Sequence, residues 1–403
     1  MQKGEFLRLI NIKLLIGCFV LILFSEHSLA MDAKLNVIHT VSDSDKNIDG
    51  LDNPRIAKFS ADNSQLFIVS GDDNSLAIFD VNQDYTLSLS QVFKSNEFPQ
   101  QKLEGASDLV TINDSSIVFV ASFYDGALSV FDKEQGGKFQ FTKAFSDGLS
   151  PERVFKSKEP VGTLDNLGLL GAWSVTKSRD GKQVFVAGYM SNTVSLFDMT
   201  SSHELKFNRV ITNDLPNDID LGNPVNVVYA QHSSELIISG FEKHKITILS
   251  QLDDDKFIVK QQIENAQNGV CNLVNPQKIV LSEDGLYLYV ASAGSDSIIV
   301  FKRSKDGFSC LQSITPSEVS SGLKGVGSLA ISKNGKYLFA GGENDIGLLV
   351  FKIVNSGALE FEQHFTAEND KVRSISSINL SSDGKYLVVT SSKDDEVHIL
   401  KLN

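Results

Sequence analysis

The side chains best suited to chemistry are spread singly along this chain. Arg55, Asp108, Trp173, Val225, Gln277, Gly327 and Ser376 fall at equivalent places in a recurring phrase, so a closed fold would bring them into one ring. A guanidinium at Arg55 suits a carboxylate or phosphate, and Arg373 and Arg153 would add two further cations. Trp173, the only tryptophan, can stack on a sugar or another flat ligand. Gln277 offers neutral hydrogen bonds, and Asp108 is the candidate general base. Each has a plainer reading: Arg55 pairs with Asp52, Arg373 pairs with Asp370, and Trp173 packs between repeats. The register leaves Asp108 open to a shift of one residue, because the turn that follows it is short.

Other chemistry has little support. His39, His203, His232, His244, His364 and His398 have no HxxxH spacing. There is no glycine-rich phosphate loop, Gly-x-Ser-x-Gly elbow or Cys-x-x-Cys-His. The acidic runs Asp253-Asp254-Asp255 and Asp394-Asp395-Glu396 lack the spacing of a calcium loop. Neither a metal nor a cofactor is expected.

What must position the ring is a repeat. Ser60-Ala61-Asp62-Asn63, Ser178-Arg179-Asp180-Gly181, Ser282-Glu283-Asp284-Gly285, Ser332-Lys333-Asn334-Gly335 and Ser381-Ser382-Asp383-Gly384 each sit between two apolar strands. Such turns suit hairpins, because Asx side chains bond local backbone and Gly accepts positive φ. Weaker copies begin near Ile112 and Ala230. A third strand then ends in an apolar pair: Ile78-Phe79, Val130-Phe131, Leu196-Phe197, Ile248-Leu249, Val300-Phe301, Val350-Phe351 and Ile399-Leu400. Successive pairs lie 52, 66, 52, 52, 50 and 49 residues apart, and a more polar fourth strand follows all but the last. Seven repeats of four strands predict an all-β, seven-bladed propeller over residues 31–403 as a single domain. WD40 signatures are absent, and the kelch double glycine occurs only at Gly341-Gly342. Residues 35–41 are expected to supply the missing outer strand of the seventh blade, closing the ring. The one long spacing marks a loop at 146–171 on the mouth face, which carries Arg153.

Residues 1–30 read as a signal peptide. Lys3, Arg8 and Lys13 precede an apolar run from Leu14 to Phe24, and Ser28-Leu29-Ala30 ends in a cleavage pattern. The run is too short to span a bilayer, which takes about 20 residues. The expectation is export to the periplasm or beyond, with lipidation at Cys18 as a lesser alternative. The net charge of −13 disfavours nucleic acid as a partner. A soluble monomer without membrane insertion is expected. Cys271 leads into an inner strand and Cys310 lies on an outer one, which favours two buried, unpaired thiols over a disulfide.

The phrase Ser282-Glu283-Asp284-Gly285-Leu286-Tyr287-Leu288-Tyr289-Val290-Ala291-Ser292, followed by Ser297-Ile298-Ile299-Val300-Phe301, resembles the seven-bladed lactonase-like propellers and the related YVTN repeat proteins. That resemblance implies the fold, and implies an enzyme that opens sugar or muconate lactones with histidine and arginine near the channel. The family's Gly-Pro-Arg-His start has its nearest counterpart in Asn53-Pro54-Arg55-Ile56, where the imidazole is replaced by an aliphatic chain. The leading expectation is therefore a non-catalytic propeller that binds a small anionic ligand or a protein at its channel mouth. The alternative is a hydrolase of the 6-phosphogluconolactonase or muconate-lactonizing type, with Arg55 and Arg373 holding an anionic lactone and Asp108 as base. An electron-transfer subunit like the propeller dehydrogenases is a third class.

Overall fold

A computed structural model describes residues 34–149, 165–216, 219–253, 256–265, 271–319, 321–367 and 372–403. The expected signal peptide, Cys18 and Arg153 lie outside the described residues. Ala33–Asn403 is one compact unit, in which the strands form seven antiparallel sheets of four. The innermost strands are Pro54–Phe59, Ala106–Ile112, Ala172–Lys177, Pro224–Ala230, Pro276–Leu281, Val326–Ile331 and Ile375–Leu380. Each touches the next and the last touches the first, so the sheets are the blades of a closed ring. No helix among the described residues is long and apolar enough to cross a membrane.

The core lies between blades. Second strands such as Gln65–Ser70 and Ile117–Ser122 are buried along their whole length, because a neighbouring blade covers each face. Phe67, Leu76 and Ile78 of blade one pack with Leu109, Val120 and Phe131 of blade two, and the pattern recurs around the ring. Burying a side chain of this size stabilises by roughly 1.5–3 kcal/mol, which no blade can achieve alone.

Closure follows from the sequence pattern. Leu35–Ser42 pairs antiparallel with Glu396–Leu402 as the outer strand of blade seven. In the other blades the outer strand carries one extra residue opposite the apolar pair, such as Ser90 facing Ile78-Phe79 and Lys260 facing Ile248-Leu249. Ile38 occupies that place opposite Ile399-Leu400, so the N-terminal strand reproduces the outer-strand bulge. Val41 enters the cluster formed by Val397, Ile399, Leu66 and Phe79. His398 is fully buried and bonds Thr40 Oγ1 at 3.0 Å and Ser391 Oγ at 3.1 Å, tying the latch to the blade.

Two local devices repeat. In the hairpin turns the Ser60 hydroxyl donates to Asp62 Oδ1 at 2.6 Å and accepts from Gln65 N at 2.9 Å; Ser178, Ser282, Ser332 and Ser381 do the same in their own turns. The bond from Ser60 holds the Asp62 carboxyl down at about 2. On the other face, Asn74, Asn192, His244, Asp296 and Asp395 adopt the left-handed conformation at the tip of a blade. Their side chains accept from Gly105 N, Asn223 N, Asn275 N, Gly325 N and Asn53 N of the following blade at 2.7–3.0 Å. At the equivalent tip of blade two stands Gly126, where a Cβ would lie 3.0 Å from Leu149 O and 3.3 Å from Leu169 O. The described ends of the long 146–171 loop fill the place of that clamp.

One expectation is corrected. Cys271 and Cys310 form a disulfide, with Cα atoms 6.2 Å apart. The chain entering blade five is still passing the outer strand at Cys271, whose sulfur also approaches Gln312 O at 3.9 Å. It reaches the innermost strand only at Pro276.

Deleting residues 31–42 removes the burial of Leu35 and Val41 and bares a strand edge. It should lower the melting temperature by about 10 °C or more, and an unchanged transition would refute the latch. Acid gives a second test. Asp62 is depressed from 3.8 to about 2, so the stability it contributes is full above about pH 4 and is lost as pH falls through about 2. Melting temperatures measured between pH 5 and pH 2 should fall less in Ser60→Ala than in the native chain, because that variant removes the bond that depresses Asp62.

Candidate functional site

Every innermost strand bulges at the same place against its neighbour. The residues so displaced are Arg55, Ser107, Trp173, Val225, Gln277, Gly327 and Ser376. A bulge re-aims a side chain, and here all seven line one cavity of about 60 Å³ at the mouth of the channel. Six match the ring read from the repeat; in blade two Ser107 takes the place expected for Asp108. The cause is the turn after Ile112, where Asn113, Asp114 and Ser115 all have positive φ and the strand runs one residue further than in blade one.

Asp108 lies one step deeper and its lone pairs are committed. One oxygen accepts from Lys58 Nζ at 3.1 Å and from its neighbour Leu109 N at 2.8 Å; the other accepts from Ser174 Oγ and Val175 N, both at 3.0 Å. A carboxylate with four donors has little capacity left to take a proton from water. The network continues around the axis. Asn226 donates to Ser174 Oγ at 3.2 Å and accepts from Ile279 N at 2.9 Å. Lys278, the next member of this deeper layer, was not singled out in the sequence; its place directly after Gln277 in the repeat is the signal that could have found it. Burial holds its ammonium below the ordinary lysine range, and Lys58 adds to that effect while Asp108 opposes it.

Beside the mouth, Arg55 and Trp173 also line a second cavity of about 190 Å³ with Asn53, Asp72, Phe123 and Tyr124. Phe123 stands edge-on to Trp173 at 5.3 Å and to Tyr124 at 5.2 Å. Tyr189 lies 5.9 Å from Trp173 and donates to Glu242 Oε1 at 2.6 Å. Burial first, then that carboxylate, push its phenol up to about 12. Trp173 thus belongs to an aromatic shelf on blades two and three and is only half-buried.

The arginines separate. Arg55 pairs with Glu343 of blade six at 3.5 Å and not with Asp52, whose backbone is turned toward Asp73. Arg373 binds Asp394 at 2.5 Å and 2.9 Å, is more than half exposed, and lines neither cavity. Asp370 and Arg153 lie outside the described residues. Of the acidic runs, Asp394 is occupied by Arg373, and Asp395 serves as the clamp to Asn53. Asp43, Asp49 and Asp73 also converge, but the Lys94 ammonium bonds both Asp49 and Asp73 there.

The family described as Lactonase, 7-bladed β-propeller, matches residues 306–403, from the outer strand of blade five to the end of blade seven. The chain is similar to the lactonase propellers. No curated protein matches it. Among solved structures, a protein from Lactobacillus plantarum aligns with a TM-score of 0.62 at 16% identity, over 81% of this chain and 87% of that one. A Bacteroides uniformis protein, provisionally described as a 6-phosphogluconolactonase, gives 0.60 at 18%, over 81% and 88%. Virginiamycin B lyase from Staphylococcus aureus gives 0.59 at 10%, over 92% and 100%. At these identities the likeness is one of fold, and it spans lactonase-like and lyase propellers alike.

If Asp108 is structural, Asp108→Ala strands Lys58 and Ser174 and should cost about 2–3 kcal/mol in urea denaturation. Asp108→Asn should recover part of that loss. Two variants as stable as the native chain would contradict this assignment.

Proposed function

We propose that this chain is an exported, monomeric, non-catalytic propeller that binds a small organic anion with a flat or ring-shaped body at its channel mouth. The observation that carries this reading is the shared pocket lined by Arg55 together with Trp173, Phe123 and Tyr124. Charge and stacking together favour a carboxylate or phosphate attached to a ring. The Arg55–Glu343 pair is no obstacle. At 3.5 Å, with both side chains about a quarter exposed, it is a weak contact that an incoming anion can replace. Gln277 and Ser376 at the mouth supply further polar contacts. Arg373, engaged by Asp394, is left out of this site.

Lactone hydrolysis is the competing reading, favoured by the lactonase match over 306–403. It needs a group to activate water and another to stabilise the oxyanion. Arg55 could serve the second role. The first has no free carboxylate or imidazole at the mouth: Asp108, the carboxylate lining that cavity, already accepts four hydrogen bonds, Asp72 of the adjoining cavity is bonded by Asn53 Nδ2 at 3.2 Å, and no histidine lines the mouth among the described residues.

Trp173 provides the readout. Titration of the purified protein with 6-phosphogluconate should change its tryptophan emission, and Arg55→Ala should weaken that response at least about tenfold. The absence of any response would remove the reading. Turnover of 6-phosphogluconolactone that disappears in Arg55→Ala would establish the hydrolase instead. Export with cleavage after Ala30 requires a mature chain beginning at Met31, which intact mass measures.

A further inference from the structure

The channel has a second end, and its chemistry differs from that of the mouth. On the hairpin-turn face it opens into a vestibule of about 580 Å³, within the range of small-molecule sites. Aliphatic side chains that are only half-buried form much of its wall, among them Val228, Val280, Leu281, Ile331 and Leu380. These side chains pack one flank against the clusters between blades and leave the other open in a concave site, which suits an apolar ligand. Arg179, His232 and Glu283 stand at its rim.

Lys278 lies at the inner end of this vestibule and also borders the mouth cavity. Its ammonium has no hydrogen-bond or ion-pair partner among the described residues. Lys58 and Lys177, on other innermost strands, are both engaged, the first by Asp108 and Leu109 O and the second by Thr111 O at 2.6 Å. Lys58, Lys177 and Lys278 are set against Asp108 and against Asp114, which acts on Lys177, so the axis holds one more basic side chain than carboxylates in a protein whose net charge is −13. Burial also holds Lys177 below its ordinary range, with Lys58 adding to this and Asp114 opposing it. A buried lysine without a counter-charge gives up its proton more easily, and a bound carboxylate would supply that counter-charge.

We infer that the vestibule is a second ligand site, separate from the channel mouth, that takes an aliphatic carboxylate with its head on Lys278 and its tail along Val280, Leu281 and Ile331. Dimensions fit this occupant. From residue 278 to residue 281 the strand advances about 10 Å, close to the length of an extended eight-carbon chain. The head meets an ammonium that makes no hydrogen bond among the described residues, while the Asp108 lone pairs are taken by Lys58, Leu109 N, Ser174 and Val175 N.

Calorimetric titration of the purified protein with octanoate, acetate and octanol tests the site. Octanoate should bind at least tenfold more tightly than either probe, since acetate lacks the tail and octanol lacks the charge. Lys278→Met should reduce octanoate affinity at least tenfold while melting within a few degrees of the native chain. Added 6-phosphogluconate should not displace octanoate. Equal binding of acetate or octanol, undiminished binding by a folded Lys278→Met, displacement by 6-phosphogluconate, or no octanoate binding would each overturn the assignment. The comparison of probes on the native chain decides even if the variant does not fold. Failure here leaves the proposed mouth site standing, since that site is read separately through Trp173.

Discussion

No blade of this protein can bury its own faces, and that constraint governs the rest. The apolar clusters lie between adjacent sheets, so each blade is stable only with a neighbour on both sides, and the set must close into a ring. Closure falls to a strand from the opposite end of the chain. Leu35–Ser42 carries the same extra residue as the other outer strands, and it brings Val41 into the seam between blades seven and one. Side chains at the blade tips then fix the rotation of one blade against the next, with Asp395 bonding Asn53 N across the same seam.

The ring also makes the sites. A bulge repeated in seven innermost strands turns seven residues toward one mouth without touching the apolar interior, so chemistry can vary there at little cost to the scaffold. The result is lopsided. Blades seven to three contribute Ser376, Arg55, Ser107 and Trp173, while blades four and six contribute the unreactive Val225 and Gly327. Below the mouth a belt of Asp108, Ser174 and Asn226 links blade two to blade five through hydrogen bonds, and the Lys278 ammonium stands at its end without one among the described residues. The two cavities of the channel therefore meet at a lysine.

Much of this was legible in the sequence because the fold is written seven times. The apolar pairs marked the third strands, which run two to four residues past them, and the polar turns marked one face; that the outer strands bulge opposite those pairs came from the structure. The ring was legible to within one residue, and the error fell at Asp108, beside the turn with three consecutive positive φ values. What escaped notice depends on paths between repeats. The route taken by Cys271 past Cys310 and the choice of Glu343 over Asp52 by Arg55 are contacts between segments that share no pattern, and the tip clamps recur at one position but with residues as different as Asn74, His244 and Asp395. Lys278 was hidden for another reason: a lysine in a strand reads as solvated until the ring encloses it.

The account rests most directly on the ring being shut by its first strand, and hydrogen exchange of backbone amides tests this. Amides in residues 35–42 that pair with Glu396–Leu402 should exchange as slowly as those of Gln65–Ser70, through the same global opening. Exchange at residues 35–42 that is orders of magnitude faster than in the second strands would mean an open ring, and would contradict the account.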